Sequence, residues 1–184
     1  MAHKVGDLMK KFISTYSFSN KDYFDKPINV KFIPDQIIKK VNDRMYGLCM
    51  ELNYVFYEML IAAGYECYLI KCLKPKNKEE YFDIFHMAIL LVFNKEKYFV
   101  DVGFGEHFQG PILLENELVD NVYEIIINNK VILKVFSEPI NEDQINENYV
   151  KFFSSGPDDF PLCRILYERI YDMKTKQYIE IKLN

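Results

Sequence analysis

The sequence contains no tryptophan, only three histidines and only seven glycines in 184 residues. Long apolar runs are missing too. The longest, residues 87–93, is seven residues, against about 20 for a helix that crosses a bilayer, so no membrane-spanning helix is predicted. The N-terminus, Met1-Ala2-His3-Lys4-Val5-Gly6-Asp7, has no apolar h-region, so a secretory signal is not expected and the cytoplasm is the expected location. Positive charge is in deficit: 23 Lys and Arg face 27 Asp and Glu, a net charge of −4 that gives no footing for a nucleic-acid partner. The basic runs, Lys39-Lys40 and residues 74–78, are short, and Glu79-Glu80 directly follow the second, as in a solvated loop.

The four cysteines, Cys49, Cys67, Cys72 and Cys163, include no Cys-x-x-Cys pair, and no histidine lies at zinc-finger spacing, so no metal is expected. Cys67 and Cys72 lie five apart in a predicted strand, which points them to opposite faces and argues against a local disulfide. Reduced thiols are the default in the cytosol. Internal repeats and low-complexity segments are also absent.

What the chain does have is aromatic bulk. Fourteen Tyr and fifteen Phe, with 49% apolar residues overall, supply a core that should bury about two-thirds of the unfolded surface. Five of the seven glycines (Gly47, Gly64, Gly103, Gly105 and Gly110) fall between residues 47 and 110, so backbone permissiveness is concentrated in one stretch.

A short helix is predicted over residues 35–42, where Ile37, Ile38 and Val41 give a weak helical period. The strongest helix runs over residues 49–63: Leu52, Val55, Phe56, Met59, Leu60 and Ala63 follow the i, i+3, i+4, i+7 rule, and Gly64 sits where a left-handed cap is wanted. Strands follow at 65–73, 84–93 and 97–102, with Asn94-Lys95-Glu96 turning between the last two. Two more hairpins join 123–127 to 131–136 around Asn128-Asn129, and 162–171 to 177–183 around residues 173–176. Residues 74–80 and 139–147 read as polar loops. The fold class is therefore α+β: a helical segment, residues 1–64, packed on an antiparallel, barrel-like sheet, residues 65–184, in one compact unit.

Three residues in this frame are each unusual for their setting. Cys49 opens the strongest helix, and Gly47 supplies a tight turn just before it. A helix start aims unpaired N–H groups and the positive dipole end at the sulfur, which favours thiolate and can also stabilise an oxyanion on a carbonyl bound to it. His86 sits in the apolar strand Ile84-Phe85-His86-Met87-Ala88-Ile89-Leu90-Leu91, where an imidazole is costly without hydrogen-bond partners. Asp101 follows fifteen residues later, across a hairpin turn, so adjacent antiparallel strands bring it beside His86. Together they form the nucleophile, base and orienter of a thiol acyl-transfer site. Glu51 suits the helix dipole, Asn53 is placed to order the loop near the nucleophile, and His107 reads as a surface residue on a loop.

These residues resemble a known family. Arg44-Met45-Tyr46-Gly47-Leu48-Cys49-Met50-Glu51-Leu52-Asn53 is similar to the Arg-Gly-Gly-x-Cys-x-Glu-Leu-Asn signature of arylamine N-acetyltransferases. His86-Met87-Ala88-Ile89-Leu90-Leu91-Val92, a turn, and Val100-Asp101-Val102-Gly103-Phe104-Gly105 resemble its His and Asp strands in order and spacing. The likeness spans residues 37–111, and 154–160 bear a fainter one to a Ser/Pro-containing cleft segment. It implies a papain-like cysteine-enzyme core, Cys49 as acetylated nucleophile, His86 as base and Asp101 as its partner. Gly103 and Phe104 would line the acceptor pocket, acetyl-CoA would be the co-substrate, and an arylamine, hydrazine or hydroxylamine the acceptor.

This chain departs from that pattern in places. Tyr46 replaces the first glycine, and Arg44 lies one position further from the cysteine. The chain is short of the family's length, so most of the C-terminal lid is expected to be missing. Glu79, Glu80 and Asp83 bring negative charge near His86, which would repel a pyrophosphate. Two other readings keep the same residues: a papain-like or transglutaminase-like thiol enzyme acting on another acyl donor, and a non-catalytic homologue serving as a binding module.

Overall fold

Why Cys49 can meet residues some forty and fifty positions further along the chain follows from the order of elements in the computed structural model, which describes residues 2–23, 30–77, 79–105, 108–115, 117–154 and 166–183. In chain order these are α1 (Ala2–Thr15), β1 (Ser17–Ser19), α2 (Pro34–Arg44), β2 (Tyr46–Gly47), α3 (Cys49–Ala62), β3 (Cys67–Leu73), β4 (His86–Phe93), β5 (Glu96–Val100), β6 (Ile112–Leu113), β7 (Val122–Ile127), β8 (Lys130–Pro139), α4 (Glu142–Ser154), β9 (Leu166–Asp172) and β10 (Gln177–Leu183). No helix among the described residues is long and apolar enough to cross a membrane.

The helices form for local reasons. In α1, Val5, Met9, Phe12 and Ile13 fall on one face and are buried. Pro34 and Asp35 open α2, and Met45, in the left-handed conformation at φ 62°, closes it by donating its N–H to the Val41 carbonyl. Helix α3 is buried all round through its first two turns, at Met50, Leu52, Tyr54, Val55 and Phe56. Further along, Leu60 stays inside, while Ile61 and Met59, which the helical period placed with the core residues, are exposed. Gly64, at φ 81°, ends it in the expected place.

Six antiparallel strands in the order β6-β5-β4-β3-β8-β7 make the curled main sheet. Its tight turns place Asn94-Lys95 and Asn128-Asn129 at positive φ, as two-residue hairpin loops require. Alternation along β3 and β4 divides the interior. Cys67, Leu69, Met87, Ile89 and Leu91 face α3 and the other helices. Ile70, Cys72, Ala88 and Leu90 face the inside of the curl with Phe99, Leu133 and Val135. Cys67 and Cys72 thus lie on opposite faces, as their spacing predicts.

Two features depart from the sequence reading. Residues 139–147, read as a loop, contain the start of α4. Asn141 and Gln144 form a reciprocal capping box, each backbone N–H donating at 2.9 Å to the other's side-chain oxygen, and Ile145, Tyr149 and Phe152 bury one face. The second is an additional four-stranded sheet, β10-β9-β1-β2. In it β1 pairs parallel with β2 and antiparallel with β9, so strands from both sides of residue 64 share one sheet. The last predicted hairpin is present as β9 and β10, while its residues 162–165, Cys163 among them, lie outside the described residues.

Candidate active site

The site is built from the first turn of α3. Leu48 is the extended N-cap residue and Cys49 the first helical one. The Leu48 N–H donates to Glu51 Oε2 at 2.8 Å, which fixes the approach to the cysteine. Glu51 is fully buried, and its Oε1 accepts from Lys40 Nζ at 2.5 Å, Tyr23 Oη at 2.5 Å and Tyr149 Oη at 2.7 Å. Burial first, and the Glu51 carboxylate second, push both phenols well above the ordinary tyrosine range. The turn that carries Cys49 is therefore fastened by α2, by α4 and by residue 23.

Gly47 does a different job from the one expected. Its φ is not in the left-handed region; Met45 makes that turn. What Gly47 supplies is room, since a Cβ there would come within 3.0 Å of Val41 Cγ2 and 3.1 Å of Glu51 Oε2.

His86 opens β4, and Asp101 follows directly on β5. The ladder pairs Ile89 with Val100, so Asp101 runs level with Ala88 and reaches His86 diagonally. His86 Nε2 and Asp101 Oδ2 are 2.6 Å apart. The other carboxylate oxygen accepts from the N–H groups of Gly103 (2.8 Å) and Phe104 (2.9 Å) and from Asn53 Nδ2 (2.9 Å). Asn53, one turn along α3 from Cys49, also donates to the Met87 carbonyl and accepts the Val102 N–H, both at 2.8 Å. It ties the Cys49 helix to both strands.

Burial disfavours the charged form of each partner, and their mutual attraction overrides it. Asp101 is held below the ordinary carboxylate range against a burial effect that would raise it, by His86, Asn53 and the Gly103 N–H. Burial likewise works against a protonated His86, but the Asp101 carboxylate and a hydrogen bond with Cys49 raise its pKa to about 10. With Nε2 on Asp101, Nδ1 faces the Cys49 thiol. Cys49 itself is partly accessible, whereas Cys67 and Cys72 are buried.

The three residues singled out from the sequence therefore meet at one point. Gly103 is buried with its backbone against that of Cys49, where any Cβ would overlap the Cys49 main chain. Phe104 sets its ring edge-on to His86 at 5.2 Å between centroids, with Phe108 beyond it at 5.4 Å. Lys74 Nζ lies 5.9 Å from the Phe104 ring centroid. His107 and residues 155–160 lie outside the described residues. Among the described residues no group of three or more His, Cys, Asp or Glu is placed to hold a metal ion. Sequence reasoning missed Tyr23, Lys40 and Tyr149, which carry no local motif and become neighbours of Glu51 only through tertiary packing.

A helix that presents a cysteine at its first turn, packed on a curled antiparallel sheet that presents histidine and aspartate, is the layout of a papain-like fold. Residues 3–150 match the N-acetyltransferase family, and the chain belongs to that family, which includes the arylamine N-acetyltransferases. Two relatives from Acanthamoeba polyphaga mimivirus, both called uncharacterized acetyltransferases, are 41% and 44% identical to it. They cover 94% and 95% of this chain, and 92% and 90% of their own lengths are covered. A probable arylamine N-acetyltransferase of Dictyostelium discoideum is 27% identical over 64% of this chain and 40% of its own. Among solved structures, the Bacillus cereus arylamine N-acetyltransferase described with a Cys-His-Glu catalytic triad superposes with a TM-score of 0.82 at 16% identity, over 99% of this chain and 79% of that one. The Mycobacterium marinum enzyme in complex with CoA gives 0.80 at 16% identity, over 99% and 74%. The fold is thus that of the arylamine N-acetyltransferases, in a chain shorter than those solved examples.

Proposed function

We propose that the protein is a cysteine-dependent acyltransferase that takes an acetyl or related acyl group from an acyl-CoA thioester and passes it to an arylamine, hydrazine or hydroxylamine by way of an acyl-cysteine. The observation that carries this reading is the continuous chain Cys49–His86–Asp101, with a 2.6 Å contact between the last two and a partly accessible thiol at a helix start. Family membership favours an acyl-CoA donor over the papain-like or transglutaminase-like alternative.

In the first half-reaction Cys49 Sγ attacks the thioester carbonyl carbon, its proton having already passed to His86 Nδ1, which the raised His86 pKa favours. Asp101 holds the imidazole in the orientation and tautomer this transfer needs and stabilises its charged form. Leu48's N–H is committed to Glu51, so the first-turn N–H groups of Cys49 and Met50 remain to receive the developing oxyanion. The carbon–sulfur bond to CoA breaks, the CoA thiolate takes the proton from His86, and acyl-Cys49 is left. In the second half the amine attacks that carbonyl carbon, His86 accepts the amine proton, and the Cys49 sulfur leaves, restoring the starting pair. Phe104, edge-on to His86, forms the wall against which an aromatic acceptor stacks, and Gly103 shapes the floor beside Cys49. Lys74, over the Phe104 ring, puts a positive charge beside the proposed acceptor wall, which would favour the approach of a donor's phosphates.

Intact-protein mass spectrometry tests the scheme. After exposure to acetyl-CoA without an acceptor, the wild type gains one acetyl group on the Cys49 peptide and loses it when an arylamine is added, with N-acetylated product formed. Cys49→Ala gains none. Acylation of that variant, or a wild type that no acyl-CoA acylates, would overturn the proposal.

A further inference from the structure

The β9–β10 hairpin lies beyond residues 3–150, the part matched by the family, yet one of its side chains reaches the site. We propose that Arg169, on β9, is a positioning residue: its guanidinium grips the loop that cradles Asp101 and so sets the Asp101–His86 pair against Cys49. The inference rests on the Cys49–His86–Asp101 reading given above.

Arg169 Nη2 donates to the Gly103 carbonyl and Nη1 to the Phe104 carbonyl, each at 2.6 Å. The N–H groups of the same two residues donate to Asp101 Oδ1 at 2.8 and 2.9 Å. The peptide unit joining Gly103 to Phe104 is therefore held at both ends: its N–H points to Asp101 and its C=O to Arg169. A hydrogen bond at one end of a peptide polarises the other, so the guanidinium strengthens as well as orients the donor that Asp101 uses. A planar fork with two parallel donors suits two successive carbonyls, and a single ammonium does not.

The guanidinium is itself held in place. Its central carbon lies 5.3 Å from the ring centroids of both Phe18 and Tyr178. Gly105, at φ 117°, leaves the space the guanidinium occupies, since a Cβ there would overlap it. That gives the glycine after Phe104 a physical reason beyond flexibility. Arg169 Nε is buried and has no hydrogen-bond partner among the described residues, a cost that the two carbonyl contacts offset.

The test follows the rate of iodoacetamide alkylation at the Cys49 peptide as a function of pH in the wild type, Asp101→Asn, Arg169→Met and Arg169→Lys, with thermal melts on each. Asp101→Asn reports whether the triad reading holds. If it leaves the profile unchanged, that reading fails and takes this inference with it. Given a response there, Arg169→Met is expected to slow alkylation by about ten- to a hundredfold and to move the midpoint of the profile in the same direction as Asp101→Asn. Arg169→Lys should recover part of the rate. A folded Arg169→Met with the wild-type rate, or with a lower rate but an unmoved midpoint, would overturn the proposal. If the Met variant does not fold, Arg169→Lys decides: wild-type rate and midpoint overturn it, an intermediate rate with a displaced midpoint supports it.

Discussion

At the scale of single residues, His86 shows how a sequence oddity becomes chemistry. An imidazole in an apolar strand would ordinarily lose its proton more easily, yet here the carboxylate at 2.6 Å and the neighbouring thiol hold it, with a pKa raised to about 10. Its pKa being higher in the folded than in the unfolded protein, His86 contributes stability that is complete below the unfolded value of about 6.5 and is lost as pH rises through about 10. Asp101, lowered on folding, contributes stability that is complete above the ordinary carboxylate range and is lost as pH falls through its depressed value. The pair is therefore worth most between mildly acidic and near-neutral pH. Urea denaturation across pH should show Asp101→Asn least stable relative to wild type in that window, with the gap narrowing as pH passes about 10. Because both the hydrogen bond and the charge interaction with Cys49 raise His86, Cys49→Ala should lower its titration midpoint, read from the imidazole ring protons by NMR. Cys49, His86 and Asp101 were legible because each is the wrong residue type for its local pattern. Lys40, Tyr23, Tyr149 and Arg169 were not, because a lysine, two tyrosines and an arginine are ordinary where they stand and gain meaning only from what packs against them.

At the scale of elements, α3 was readable from its period and its glycine stop, and the hairpins from Asn94-Lys95 and Asn128-Asn129 at their turns. Helix α4 was hidden by the polar run that follows Pro139, although Asn141 and Gln144 stand at capping-box spacing and Ile145, Tyr149 and Phe152 at helical spacing. Strands β1 and β2 span three and two residues, too few for a period of two to show. The N-terminus of α3 depends on α2 and α4 through Glu51, which no property of α3 alone announces. Among the described residues Lys40 supplies the one cation bonded to that fully buried carboxylate, with its own side chain 17% exposed. Lys40→Met would leave Glu51 to two hydroxyls and the Leu48 N–H, and should cost about 3 kcal/mol of unfolding free energy by urea denaturation. The loss should exceed that of Lys39→Met, whose partner Asp43 is exposed, by most of that amount.

At the scale of the whole molecule, the chain closes on itself. Phe18 of β1 pairs in register with Arg169 of β9 and packs its ring edge-on to Tyr167 at 5.4 Å, while β1 also pairs with β2 at the approach to Cys49. The β1–β9 pairing that unites these strands was not legible because it joins residues near the two ends of the sequence, and nothing in either segment specifies the other. Contacts of such separation cost the most loop entropy to form, whereas the β3–β4–β5 meander is local and joins both cores. The β9–β10 hairpin should thus be the least firmly held part of the site's framework, and Phe18 the residue that holds it. Phe18 is only 6% exposed, and Phe18→Ala should cost about 3 kcal/mol or more through the cavity it leaves. Amide hydrogen exchange gives the sharper reading. In Phe18→Ala the amides of β9 should exchange much faster than in wild type while those of β4 keep their protection, as a sub-global opening of the hairpin predicts. Exchange accelerated equally in β9 and β4 would instead mean that the second sheet and the curled sheet unfold as one unit, and that the site is lost only when the whole fold is.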